Sequence, residues 1–308
     1  MKCCRLCSTS PWHSHSRAFV ISCDIETGPR VKLTNLDTNQ LTGMRLEPHA
    51  QQNVYRHTRL SGRRLKIAII SDIHGNLVAL ESILPGIKDV DRIVCLGDVA
   101  ASGPQPHETI SFLRRAGWPC VLGNTDETLA KGEHESFGNL KMPANERQKL
   151  GTLHDWTSSR IVAGDRKYLA SFKPTIEIRV GRHSLLCYHG SPRSYTEQIL
   201  PTTSNEELGK IFEGRHARAY AGGHTHSQMV RKFGASLIVN PGSVGLPFFE
   251  AADGKVMNPV WAEYGFLTTS GDDLRVELRR ERYRKRDLKD SVMRSGMPDP
   301  EWWLRDWT

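Results

Sequence analysis

Leu65-Lys66-Ile67-Ala68-Ile69-Ile70-Ser71-Asp72-Ile73-His74-Gly75-Asn76 is the stretch that decides the fold. A run that is apolar except for Lys66 stops at a carboxylate, an imidazole and a glycine. Short apolar runs that end at glycine read as buried strands. The same construction returns four times downstream. Residues 92–96 lead into Gly97-Asp98, and 119–122 into Gly123-Asn124. Residues 184–188 lead into His189-Gly190, and 217–221 into Gly222-Gly223-His224-Thr225-His226. Helical patterns over 77–87 and 106–116 lie between the first runs. Strand-helix-strand order implies parallel strands joined by right-handed crossovers, an α/β class. Residues that follow parallel strands gather at one edge of the sheet, where open α/β sheets place their sites.

In chain order the polar residues at these run ends are Asp72, His74, Asp98, Asn124, His189, His224 and His226. Hard oxygens and imidazoles without a thiolate suit two borderline divalent ions such as manganese, iron, zinc, nickel or cobalt. Each residue also has a structural reading by itself. Asp72 would cap a helix starting near Asn76, His189 would be a satisfied core histidine, and Gly97-Asp98 would be a turn. The ordered set outweighs these separate readings. His154, His183 and His216 have no such surroundings and read as structural or surface residues.

Taken together, Asp72-Ile73-His74-Gly75-Asn76, Leu96-Gly97-Asp98, Gly123-Asn124-Thr125-Asp126, His189-Gly190 and Gly223-His224-Thr225-His226 resemble the calcineurin-like metallophosphoesterase superfamily. The closer likeness is to its small bacterial and archaeal phosphodiesterase branch, over residues 65–285. The resemblance implies a four-layer αββα sandwich of two mixed sheets flanked by helices. It implies one metal on Asp72, His74 and His226, a second on Asn124, His189 and His224, and Asp98 as the bridge. It implies that Asp72, Asp98, Asn124, Asp126 and His224 carry the reaction, a hydroxide between two divalent ions attacking phosphorus. Glycines 75, 97, 123 and 223 would allow the tight turns this needs.

Three departures shape the expected substrate. Thr125 stands where many relatives carry a histidine that protonates the leaving group, and a hydroxyl is no acid near neutral pH. No arginine follows Gly97-Asp98, which disfavours a phosphoprotein. Asn240-Pro241-Gly242-Ser243 resembles the branch's loop, but Pro247-Phe248 replaces a Pro-Arg pair and so removes an anion contact. The expected activity is a phosphodiesterase on a small or nucleotide-like ester. A nuclease and a non-catalytic metal-binding interaction scaffold are the alternatives.

The 308 residues carry a formal net charge of +8, which favours anionic partners and leaves nucleic acid open. Much of this charge lies in Arg279-Arg280-Glu281-Arg282-Tyr283-Arg284-Lys285-Arg286, which reads as a solvated strand end and helix start. No aromatic ladder interleaves it. No run approaches the length of a membrane span. Cys95, Cys120 and Cys187 sit inside apolar runs as packing thiols, and cysteine usage points to the cytoplasm.

Three domain segments are expected: an extension over 1–63, the catalytic domain over 64–285, and a C-terminal helix with an aromatic tail over 286–308 packed on it. The extension shows no strand runs and reads as disordered or as the product of a misassigned start. It has two further readings. One is a transit peptide, since 1–23 contains no Asp or Glu. The other is a zinc knot from Cys3, Cys4, Cys7, His13 and His15. Residues 133–150 read as a loop and 153–169 as a helix pair over the site edge. A hairpin is expected from 175–180 and 183–188. Alternating runs from 229 to 278 suggest an antiparallel second sheet.

Overall fold

The computed structural model describes residues 64–134, 142–180, 183–252, 254–271 and 273–308, together with the backbone of two strands within 17–35. In chain order the first elements are β1 (Arg17–Asp24), β2 (Gly28–Asn35), β3 (Leu65–Ile70), α1 (Leu77–Ile87), β4 (Arg92–Cys95) and α2 (Pro106–Ala116). Next come α3 (Asn124–Lys131), α4 (Ala144–Arg160), α5 (Ala163–Leu169), β5 (Ile176–Val180), β6 (His183–Cys187) and α6 (Asn205–Ile211). Then follow β7 (Ala219–Ala221), β8 (Met229–Phe233), β9 (Ser236–Asn240), β10 (Phe249–Glu250) and β11 (Val256–Met257). The chain closes with β12 (Trp261–Ser270), β13 (Asp273–Arg282), α7 (Lys285–Ser295) and α8 (Pro300–Leu304).

Two mixed sheets face each other between helices. The first runs β2-β1-β13-β12-β3-β4 and the second β5-β6-β7-β9-β8. β3 pairs parallel with β4, while β6, β7 and β9 pair parallel in the second sheet. The period-two alternation of each strand decides which layer its side chains enter. Ile67 and Ile69 join Leu185, Cys187, Ala219, Ala221 and Val239 between the sheets. Ala68 and Ile70 point the other way, onto Leu80 and Ile83 of α1 and Ile110 and Leu113 of α2. On the outer face of the second sheet, Leu186, Tyr188 and Tyr220 meet Leu208 and Ile211 of α6. The expected four-layer αββα sandwich is the observed architecture.

Local chemistry sets the helix ends near the site. Asn76 caps α1 by accepting from the Ala79 amide at 3.1 Å, so Asp72 is free for another role. Pro106 opens α2, and Gly117 ends it with φ of 65°.

Several expectations are corrected. The runs from 229 to 278 do not form one sheet. β8 and β9 join the second sheet, while β12 and β13 cross back to pair with β3 in the first. Alternation reports which face is buried but not which neighbour buries it. Residues 119–122 make only single bridges, Cys95 to Cys120 and Val121 to Lys173, because Pro119 has no amide to donate. Within 133–150 the expected loop gives way to α4 at Ala144. Residues 17–35 carry two strands where none was expected, and β1 covers the edge of β13 with Phe19 opposite Leu278. The cysteines and histidines of the zinc-knot reading lie outside the described residues.

The aromatic tail docks on the domain. Trp303 and Trp307 are buried, and the Trp303 indole donates to the Ser102 carbonyl at 2.7 Å. Among the described residues no helix is long and apolar enough to cross a membrane.

Candidate metal centre

All seven expected ligands stand in loops or helix starts that follow β3, β4, β6, β7 and the 119–122 segment. Backbone bonds lace these loops together. Asp72 N donates to Gly97 O at 3.0 Å and His74 N to Asp98 O at 2.9 Å. Gly223 N donates to His189 O at 2.8 Å, so the His189 and His224 loops of the second sheet are tied together as well. Close approach demands glycine at Gly223, where a Cβ would sit 1.9 Å from Ser71 Oγ and 2.6 Å from Asp72 Oδ2. The two sheets therefore meet at this point.

Two triads result. Asp72, His74 and His226 form one, and Asp98, His189 and His224 the other, with the ligand atoms of each within 4.8 Å of one another. In the first, Nε2 of His74 and Nε2 of His226 are 3.0 Å apart, and Asp72 Oδ1 is 3.3 Å from the latter and 3.8 Å from the former. In the second, Asp98 Oδ2 is 3.4 Å from His189 Nε2 and also 3.9 Å from His74 Nε2, so it faces both triads. Asn124 Oδ1 adds a neutral oxygen 3.1 Å from His189 Nε2.

The residues fit a cation, and the tautomers show why. Nδ1 of His74, His189 and His226 faces the carbonyls of Ala101, Leu96 and Leu246 at 3.0, 2.7 and 2.7 Å. A carbonyl only accepts, so each Nδ1 carries a proton and Nε2 is the nitrogen turned into the cluster; in a ring that has given up its Nε2 proton, as a metal-bound ring must, that lone pair faces inward. Lone pairs and carboxylate oxygens then face one another. Asp72 Oδ1 is buried without a hydrogen-bond donor. Two ligands of one ion at metal–nitrogen distances near 2.1 Å stand about 3.0–3.4 Å apart, close to the spacings here.

The electrostatics point the same way. Burial opposes ionisation of Asp72, but His226 and His189 bring it down to about 2. Burial likewise opposes Asp98, yet His189, His74 and His224 hold its carboxyl well below the usual carboxylate range. Burial works against a charged His189, and the Asp98 carboxylate overrides it and raises the ring to about 10. His226 is raised against its burial by Asp72. Burial, helped by the neighbouring imidazoles, lowers His74 and His224. Two ionised carboxylates thus create a field that favours positive charge at this point.

Backbone strain is concentrated here too. Among the described residues, seven non-glycine positions have left-handed φ, and five of them are Asp72, His74, Asp98, His224 and His226. Such positions cost on the order of 1 kcal/mol or more each, and they persist where surrounding structure enforces them. The chain belongs to the calcineurin-like phosphoesterase superfamily. Its superfamily-domain profile matches residues 65–257. A metallophosphoesterase from Sphaerobacter thermophilus is 25% identical and superposes with a TM-score of 0.57, over 79% of this chain and 97% of that one. A hypothetical protein from Pyrococcus horikoshii shares the fold with a TM-score of 0.62 at 18% identity, over 78% of this chain and 97% of that one. An uncharacterized protein of Methanocaldococcus jannaschii is 26% identical over 258 residues, 77% of this chain and 95% of its own length.

Within this calcineurin-like domain, Asp126 sits apart from the two triads. Its Oδ2 accepts from Asp98 N at 2.8 Å and Gly123 N at 3.2 Å, and its Oδ1 from Val99 N at 2.9 Å. Burial and the Asp98 carboxylate push it up to about 7 against those three donors. The three donors are backbone amides of the Asp98 loop and the Gly123 turn, so this carboxylate, expected among the reacting residues, ties those two segments together. Thr125 turns its amide to Asp98 Oδ1 at 3.0 Å, and its hydroxyl is buried without a partner.

Two contributors were missed. Ser243 Oγ donates to Asp72 O at 2.7 Å, and Asn240 Nδ2 donates to Gly223 O at 2.8 Å. The Asn240-Pro241-Gly242-Ser243 loop thus braces the Asp72 and Gly223 loops. Its motif was visible in the sequence, but its neighbours were not.

Proposed function

We propose that this chain is a phosphodiesterase for small or nucleotide-like esters that works with two divalent ions. Asp72, His74 and His226 would hold one ion and Asn124, His189 and His224 the other, with Asp98 shared. The observation that carries this reading is the inward turn of three Nε2 lone pairs onto two ionised carboxylates, each ring fixed by a backbone carbonyl. When bound, such ions supply a water activated near neutral pH and offset the charge that develops on the phosphoryl group. The chain's own part is orientation. The Ala101, Leu96 and Leu246 carbonyls set the imidazoles, and Asp126 sets the Asp98 loop. Thr125 leaves the departing oxygen without a protein acid, so esters with weakly basic leaving groups suit the site.

A small substrate is favoured over nucleic acid because four of the six basic residues in 279–286 are paired with carboxylates. Arg280 meets Glu263, Arg284 meets Asp287, Arg286 meets Asp290, and Arg279 meets Glu277. The buried free thiols Cys95, Cys120 and Cys187 accord with a cytoplasmic setting. The test is elemental analysis of metal-reconstituted protein together with a screen of phosphomonoesters, phosphodiesters and dinucleoside polyphosphates. We expect about two equivalents of metal and metal-dependent turnover of diesters. Saturation at one equivalent refutes the binuclear reading, and absence of turnover in every class refutes the enzyme.

A further inference from the structure

Large apolar side chains are exposed at six described positions: Val162, Leu200, Phe248, Phe249, Val256 and Met293. Three of the six lie on or beside one short ribbon, where Phe249 pairs with Met257 and Glu250 with Val256. This ribbon grows directly out of the metal loops. Gly245 N donates to Asp72 O at 3.0 Å, Leu246 N to Ser243 Oγ at 2.8 Å, and Leu246 O accepts from His226 Nδ1 at 2.7 Å. Two residues on, Phe248 is 42% exposed with its ring centroid 5.5 Å from that of His226. The phenyl group is thus tied to the centre through the same loop that orients a ligand.

An exposed apolar ring held beside a charged centre offers a π-face next to a phosphate site. A substrate whose phosphorus lies at the triads can place a planar group against it. We propose that Phe248 is a stacking shelf that selects phosphodiesters carrying a planar aromatic group, either a simple aryl ring or a nucleobase. The proposal rests on the phosphodiesterase reading above and adds the part of the substrate next to phosphorus. A phenyl shelf carries no charge, so discrimination comes from stacking area rather than from a further contact to the phosphate.

The test uses three diesters with the metal-loaded full chain: phenyl methyl phosphate, trifluoroethyl methyl phosphate, and the methyl ester of adenosine monophosphate. Each is measured on wild type, Phe248→Ala and Phe248→Trp, so that leaving-group differences cancel between proteins. Phe248→Ala should lower kcat/KM by about 10-fold for the ring-bearing ester that uses the shelf, mainly through KM, against less than about twofold for the trifluoroethyl ester. Phe248→Trp should restore the preference. The phenyl and adenosine arms tell an aryl source from a nucleobase source. A preference unchanged within about twofold in Phe248→Ala overturns the shelf. If wild type turns over none of the three, the phosphodiesterase reading fails separately. Binding of adenosine monophosphate, followed by NMR, then decides the shelf: a Kd weakened about 10-fold by Phe248→Ala supports it, and an unchanged Kd overturns it.

Discussion

Replacing Asp126 by asparagine tests whether this residue holds the site together without touching the reaction. The side chain keeps its size and loses one acceptor. Three amides now converge on the carboxylate, from Asp98 at 2.8 Å, Val99 at 2.9 Å and Gly123 at 3.2 Å. An asparagine oxygen can serve one side of that set. Its NH2 must then face a donor on the other side, at a fully buried position that solvent does not reach. Above the raised pKa of about 7, where the carboxylate is ionised, loss of a hydrogen bond to a charged acceptor costs about 1.5–3 kcal/mol, and a stranded buried donor about 1–3 kcal/mol. We therefore expect Asp126→Asn to destabilise the fold by about 3 kcal/mol, a fall in Tm of about 6–12 °C for a domain of this size. Because the freed amides belong to Asp98 and its neighbour, metal affinity should weaken by about 10–100-fold, as for other residues that orient ligands. Urea denaturation measures the first quantity and chelator competition the second. A variant with wild-type stability and wild-type metal affinity would refute the positioning role.

Asp98→Ala should abolish activity more completely than Asn124→Ala, because Asp98 faces both triads and Asn124 only His189; equal residual rates count against the assignment. Rates across diesters of graded leaving-group pKa should fall steeply in wild type, and Thr125→His should help the poorest leaving groups by about 10-fold. A flat wild-type series would mean that another residue already donates the proton. Asp165, which belongs to neither triad, provides a pH test. Its burial works against ionisation, but His107, the Val162 amide and Arg114 prevail and lower its pKa. A depressed carboxylate stabilises the fold above its unfolded pKa of about 3.9, and the effect is lost as pH falls through the folded value. The stability gap between wild type and Asp165→Asn should hold near neutrality and shrink below about pH 4; a gap that widens on acidification would exclude this linkage.

The candidate ligand set was legible in the sequence because each member ends a local pattern. An apolar run, a glycine and a polar residue within a few positions announce a strand that delivers a side chain to a loop, and that information is contained in neighbours along the chain. Helices α1 and α2 were legible for the same reason, with Asn76 and Pro106 at their starts. Other features depended on residues distant in sequence. Strands β12 and β13 alternate like those of the second sheet yet belong with β3, since alternation records burial and is silent about partners. Asp126 reads as a reacting residue beside Asn124, and only the return of the Asp98 loop onto it shows three amides converging on its carboxylate. The backbone carbonyls of Leu96, Ala101 and Leu246 set the imidazole tautomers from positions that any residue type could occupy. Sequence alone thus determined which atoms could bind a cation. The tertiary structure decided which way their lone pairs point, because that direction is set by hydrogen bonds to carbonyls 20 to 93 residues away along the chain.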